Sequence, residues 1–203
     1  MPEITGISER RNRARLYVDG EFFAEIDSGA VLDYGLYKGL SLSPEELEEA
    51  RVAGERALAL SRALHYLGHR ARSVGEVRER LFRYGYGERT VEEVVERLRE
   101  LGYLDDAQFA RMFAGEKSGK YGPRRVLSDL WRSGVDEETA QAAVDEAFSE
   151  LSELEAARAA AGRRYNTGEG SEALARRVHG FLARRGYSPG VCTEVALEYR
   201  RGE

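Results

Sequence analysis

Cysteine occurs once in this chain, at Cys192, so no internal disulfide framework can hold it together. Long apolar runs are missing too: none approaches the roughly 18 to 20 residues that a membrane span needs. The N-terminus, Met1-Pro2-Glu3-Ile4, lacks the basic region followed by an apolar one that marks a secretory leader. A cytoplasmic protein with no membrane association is expected. Histidine is scarce as well. His65 and His69 share a helical spacing, but no third ligand lies near them in sequence, and His179 stands alone, so no metal site is expected. The carboxylates are scattered over helix faces without forming an acid/base pair, and nothing in the chain points to a cofactor or to an enzyme. Lysine is nearly absent: only Lys38, Lys117 and Lys120 stand among 31 basic residues. Arginine suits planar, bidentate contact with carboxylate or phosphate, although a coding bias toward arginine leaves the same trace.

What is present is a helical composition, with 42% hydrophobic and 33% charged residues. The net charge of -5 argues against nucleic-acid binding by bulk electrostatics. Charge is unevenly spread: residues 61–104 and 151–203 each carry nine basic against seven acidic side chains, whereas 105–150 carry six against ten.

A beat recurs three times: Leu81 then Gly85-Tyr86, Leu130 then Gly134-Val135, Leu182 then Gly186-Tyr187. After each glycine, apolar residues fall at matching offsets: Val91, Val94, Val95 and Leu98; Ala140, Ala143, Val144 and Ala147; Cys192, Val195, Ala196 and Tyr199. Cys192 thus occupies a position filled by small core residues elsewhere. The glycines are 49 and 52 residues apart, about the period of a repeat array, in which neighbouring units share buried surface and present an extended binding face.

The predicted fold is mainly α: three tandem three-helix repeats in an elongated array, preceded by a small N-terminal antiparallel β-sheet. Residues 1–43 hold strands at Ile4–Glu9, Arg13–Val18 and Glu21–Asp27, with Asp19-Gly20 as a tight turn, and a short helix over Ser28–Tyr37. Residues 44–104 hold a long helix from Pro44 to about His69, capped by Ser43, and the rest of the first repeat. Gly54 reads as a soft spot of about 1 kcal/mol in that helix. Ser73-Val74-Gly75-Glu76 is a capping box for a helix with Val74, Val77, Leu81 and Tyr84 on one face. The next helix runs from Gly87 to Leu101. Residues 105–151 form the second repeat, with Asp105 capping a helix that packs Phe109, Met112 and Phe113, a helix from Pro123, and another over Asp136–Leu151. Residues 152–203 form the third, with helices at Glu153–Tyr165, Ser171–Arg185 and Ser188–Arg201 and a loop at Asn166–Gly170.

Gly115-Glu116-Lys117-Ser118-Gly119-Lys120-Tyr121 has one residue too few between its glycines for a phosphate-binding loop, and Tyr121 stands where Ser or Thr is required. The stronger binding element is Lys120-Tyr121-Gly122-Pro123-Arg124-Arg125. A helix start backed by three cations and an aromatic suits a phosphate or an acidic surface, and equally describes a solvated helix start. Arg70 and Arg72, in the turn leading into Ser73, and the pairs Arg176-Arg177 and Arg184-Arg185 are weaker candidates.

These residues resemble the RecX family of bacterial recombination regulators. The likeness lies in Ala63-Leu64-His65-Tyr66-Leu67, Arg72-Ser73 leading to Glu76-Val77-Arg78-Glu79-Arg80-Leu81, Leu98-Arg99-Glu100-Leu101-Gly102-Tyr103-Leu104-Asp105-Asp106 with Phe109-Ala110, and Gly122-Pro123-Arg124-Arg125-Val126 with Leu130 and Gly134-Val135-Asp136. It covers residues 60–150 closely and the third repeat more loosely. The resemblance implies a regulator that binds the RecA recombinase filament on single-stranded DNA, lies in its groove, blocks its extension and lowers its ATP hydrolysis, strand exchange and co-protease activities. We take the chain to act as a monomer, with room for weak direct contact with DNA. By motif position the partner-binding candidates are Lys120, Tyr121, Arg124, Arg125 and Arg72, while Leu81, Leu98, Leu101, Phe109, Leu130 and Trp131 are assigned to the core. Tyr103 is open between the two. The alternative is a helical module acting on single-stranded DNA itself, against which the glutamates of Thr90–Glu100 argue.

Overall fold

The computed structural model describes residues 1–149, 152–166 and 170–202. The chain divides into two compact units, Met1–Leu104 and Asp105–Glu203.

The first unit opens with strands β1 (Ile4–Arg10), β2 (Arg13–Val18) and β3 (Glu21–Asp27), antiparallel in that order. Asp19 and Gly20 both take positive φ, as the two-residue hairpin turn requires. Period-two alternation sends Ala14, Leu16, Ala24 and Ile26 inward, against Ala30, Val31 and Leu36, while Arg13 and Arg15 point out to Glu25. Helix α1 (Ser28–Asp33) is shorter than the expected Ser28–Tyr37. Gly35, at φ +58°, reverses the chain there so that the amide of Leu36 donates to the Val31 carbonyl (2.8 Å) and its side chain enters the sheet's core.

Helix α2 (Pro44–Leu67) begins at a complete capping box formed by Ser43 and Glu46. It serves two cores: Ala50 packs under the sheet, whereas Ala59 and Ala63 enter the core of the first repeat. Gly54 is not a soft spot. A Cβ placed on it would lie 2.5 Å from the Cβ of Ile26 and 3.1 Å from that of Ala30, so this is where helix and sheet touch backbone to side chain. Gly54→Ala gains about 1 kcal/mol of helix propensity but overpacks the contact by about 1–3 kcal/mol. We expect a net loss of about 1 kcal/mol in chemical denaturation; a stabilised variant would show that the sheet is free to yield.

The first repeat continues with α3 (Val74–Arg83) and α4 (Glu88–Glu100). The second consists of α5 (Asp106–Ser118), α6 (Pro123–Arg132) and α7 (Glu137–Ser149); the third of α8 (Glu153–Gly162), α9 (Glu172–Arg184) and α10 (Pro189–Arg201). The expected end of α7 at Leu151, and the Thr167-Gly168-Glu169 stretch of the expected loop, lie outside the described residues.

The Leu-to-Gly beat is a helix terminus repeated three times. In each, the glycine takes a left-handed φ of +79° to +87° and the next amide donates back to the leucine carbonyl: Tyr86 to Leu81 (3.4 Å), Val135 to Leu130 (3.2 Å), Tyr187 to Leu182 (3.3 Å). The glycine amide itself reaches the residue after the leucine, completing a Schellman motif. Leucine and the residue after glycine are buried in every copy. The first helices share a second pattern, a buried alanine pair four apart: Ala59 and Ala63, Ala110 and Ala114, Ala157 and Ala161. Each pair lets its neighbours approach the helix axis closely. Cys192, fully buried, takes its place in the third core.

Four core assignments fail. Leu101, Trp131 and Met112 are 46%, 45% and 58% exposed. Leu101 follows the last turn of α4, where the chain already bends away. Trp131 comes one residue after the buried Leu130, a rotation of roughly 100° that carries it off the core stripe. Met112 is on the outer side of α5, between Ala110 and Ala114. Tyr84, expected on the buried face of α3, caps that helix and is 43% exposed, and Tyr103 is 56% exposed.

Candidate partner-binding site

Residues Gly119–Gly122 connect α5 to α6, and Pro123 opens α6 without an amide donor. The helix start does not present free amides to solvent. The Gly122 amide donates to the Arg185 carbonyl (2.9 Å), that of Arg124 to the Gly186 carbonyl (3.3 Å), and that of Arg125 to Gly122 itself (3.1 Å). The Gly122 and Arg124 donors are thereby engaged by the Schellman turn of the third repeat, and the Arg125 donor by the first turn of α6 itself.

Two arginines of the third repeat close the joint from outside. Arg185 donates through Nη1 to the Lys120 carbonyl (2.6 Å), and Arg163 donates through Nη2 to that of Gly119. The Arg185 guanidinium also lies over Phe181 (4.5 Å) and Tyr121 (5.5 Å). Tyr121 is half-buried at the edge of the second core. Gly122 and Gly186 meet backbone to backbone, for a Cβ on Gly122 would fall 2.5 Å from the Gly186 carbonyl and the Tyr187 amide.

Lys120, Arg124 and Arg125 remain exposed around this joint. Arg125 is held by Asp129 (3.0 Å), which Arg132 also pairs (3.0 Å). With Arg163 and Arg185 they form a cationic rim that the structure assembles from two repeats. Arg163 gave no sequence signal, because only the fold brings it to Gly119, 44 residues away in the chain.

Arg72 belongs to the first unit and is turned inward. Its side chain is 15% exposed, stacks on Tyr66 (4.0 Å) and pairs with Glu76 (3.4 Å). It starts a ladder in which Tyr66 also meets Arg80 (5.4 Å), Arg80 meets Tyr84 (4.9 Å), and Arg62 meets Tyr84 (4.9 Å) and Tyr86 (5.3 Å). The ladder fixes α2 to α3 in the first repeat. His65 and His69 stack edge to face (5.1 Å), and among the described residues no group of three or more His, Cys, Asp or Glu is placed to hold a metal ion. No helix among them is long and apolar enough to cross a membrane.

Similarity to known proteins runs repeat by repeat along this geometry. The family model described as "RecX, first three-helix domain" matches residues 59–98, the second-domain model 105–144 and the third-domain model 152–195. Regulatory protein RecX of Lactobacillus johnsonii is 35% identical over 139 residues, 66% of this chain and 51% of that protein. That of Listeria welshimeri is 27% identical over 97% of this chain and 75% of its own length. The chain thus spans about half the length of the Lactobacillus relative and three quarters of the Listeria one. A crystal structure of regulatory protein RecX superposes with a TM-score of 0.60 at 23% identity, covering 96% of this chain and 98% of that one, and RecX from Lactobacillus salivarius superposes at 0.59 and 20% over 72% and 97%.

Proposed function

We propose, from the premise that the chain belongs to the RecX family, that it is a cytoplasmic regulator of the RecA recombinase filament on single-stranded DNA. In this reading it binds along the filament groove, blocks extension and lowers ATP hydrolysis, strand exchange and co-protease activity, without chemistry of its own. The observation that carries the reading is the threefold helix terminus, three copies of one structural unit, matched in order by three family domains. Copies in tandem turn weak single contacts into tight preference for a polymer through effective concentration. We read residues 1–43 as an extension and 44–104, 105–151 and 152–203 as the successive modules. Lys120, Tyr121, Arg124 and Arg125 are proposed as partner contacts on the rim of the joint, and Arg72 as the support of the first repeat's face.

The competing reading, a module that enters a DNA groove, meets an acidic helix. On α4, Glu96 and Glu100 are more than half exposed. Arg78 donates to Glu92 (2.7 Å) and holds its carboxyl below the ordinary range, and α4 carries five glutamates against three arginines.

The deciding measurement is recombinase ATP hydrolysis on single-stranded DNA with substoichiometric added protein. Hydrolysis should slow several-fold, because one regulator caps many protomers. An unchanged rate would end the proposal, whereas tight, steeply salt-dependent binding to bare DNA would favour the module.

A further inference from the structure

Beyond each buried leucine, the Schellman turns hold a two-residue step outward. In order, these steps are Phe82-Arg83, Trp131-Arg132 and Ala183-Arg184. Phe82 and Trp131 are each 45% exposed, and the side chains of Arg83 and Arg132 are 60% and 63% exposed. Among the described residues neither ring belongs to a core cluster. The turn dictates this placement: the leucine is fixed inward by the hydrogen bond to its carbonyl, and the next residue is rotated off the core.

Resting on the proposed function, we infer that this outward aromatic-arginine step is a docking element, used once by the first repeat and once by the second. Its partner is an apolar pocket rimmed by an acidic side chain, present on each protomer of the recombinase filament. A feature copied along one chain fits a site copied along a polymer, and a partner with a single pocket has no use for the second copy. Aromatic rings beside arginine are the residue types that dominate protein interface hot spots. Each arginine is already paired along its own helix, Arg83 with Glu79 (3.2 Å) and Arg132 with Asp129 (3.0 Å). Glu79 offsets Arg83, and Asp129, which Arg132 shares with Arg125, offsets part of the charge at the second step. A carboxylate beside each step disfavours a phosphate strand, while the remaining cation suits a pocket with an acidic rim. The third repeat has the arginine but only Ala183, so it contributes least.

The test uses the full chain in the ATP hydrolysis titration. Phe82→Ala and Trp131→Ala should each raise the concentration for half-inhibition about ten-fold, and the double variant about a hundred-fold, because separated contacts combine multiplicatively. Ala183→Trp, at an exposed position, should lower it, which keeps the test decisive should Trp131→Ala fail to fold. Inhibition by all four variants at the wild-type concentration overturns the inference and leaves the proposed function standing. Failure of the wild-type chain to inhibit removes the proposed function and this inference with it. Equal weakening of binding to bare single-stranded DNA shows that the rings stack on bases instead, and overturns the protein pocket.

Discussion

Gly122→Ala should destabilise the second unit by about 3 kcal/mol, although it exchanges one hydrogen atom for a methyl group at a helix start. The new Cβ would lie 2.5 Å from three backbone atoms of Gly186 and Tyr187, and backbone cannot swing aside as a flexible side chain does. Parting the two turns breaks the hydrogen bonds from the Gly122 amide to the Arg185 carbonyl and from the Arg124 amide to the Gly186 carbonyl, and lengthens that from the Arg185 guanidinium to the Lys120 carbonyl. At about 1 kcal/mol for each hydrogen bond, the loss reaches about 3 kcal/mol. Gly119→Ala is the matched control, three residues earlier in the same loop with nothing within 4 Å of its added Cβ. It should stay within about 0.5 kcal/mol of wild type. Amide hydrogen exchange reads the difference locally: protection at Gly122 and Arg124 should fall in the first variant alone. Equal melting of both variants would mean that the joint is dispensable.

Glu55→Ala should cost the first unit about as much. Glu55 is 3% exposed, and its Oε2 accepts from Arg51 Nη1 (2.8 Å) on α2 and from Thr90 Oγ1 (2.8 Å) on α4. Removing one partner of a buried charge pair usually costs about 3–5 kcal/mol. Here Arg51 keeps Glu48, which it meets through Nε at 2.8 Å and which its guanidinium holds below the ordinary carboxyl range, so the lower end applies. Thr90, fully buried, is left without its acceptor. A fall in melting temperature on the order of 10 °C is expected. Glu55→Gln, which keeps an acceptor for Thr90, should lose less. A fall below about 2 °C for the alanine variant would show that α2 and α4 are held by their apolar contacts alone.

Features decided within a few residues were readable before the fold was known. The Asp19-Gly20 turn, the serine caps and the leucine-glycine termini depend on local backbone geometry, and their residues say so. Cys192 was legible through its register in the repeat. Gly54 was not, because its role is set by Ile26, 28 residues earlier, and helix propensity alone gives it the wrong sign. Trp131, Leu101 and Met112 misled for a related reason. Apolar residues beside the core stripe, at a helix end as Leu101 and Trp131 are or on the outer side as Met112 is, satisfy the pattern by type, while burial depends on whether another element covers them. The candidate site was half visible. Its loop stood out for charge and glycine, but the partners of that loop, Arg163 and the Arg185-Gly186 turn, are more than 40 residues further along. That turn is what converts an apparent anion cradle into a joint.

Helix α2 passes through both cores of the first unit without a break, from Pro44 under the sheet to Leu67 in the first repeat. Opening of the sheet exposes Ala50 and the Gly54 contact on α2, the same helix that carries Ala59 and Ala63 into the first repeat, which couples the two cores through one helix. We expect the sheet and the first repeat to open together in native-state hydrogen exchange, with one shared opening free energy. An extension of this kind acts as a splint on the repeat beside it, and its removal should loosen the N-terminal half of α2.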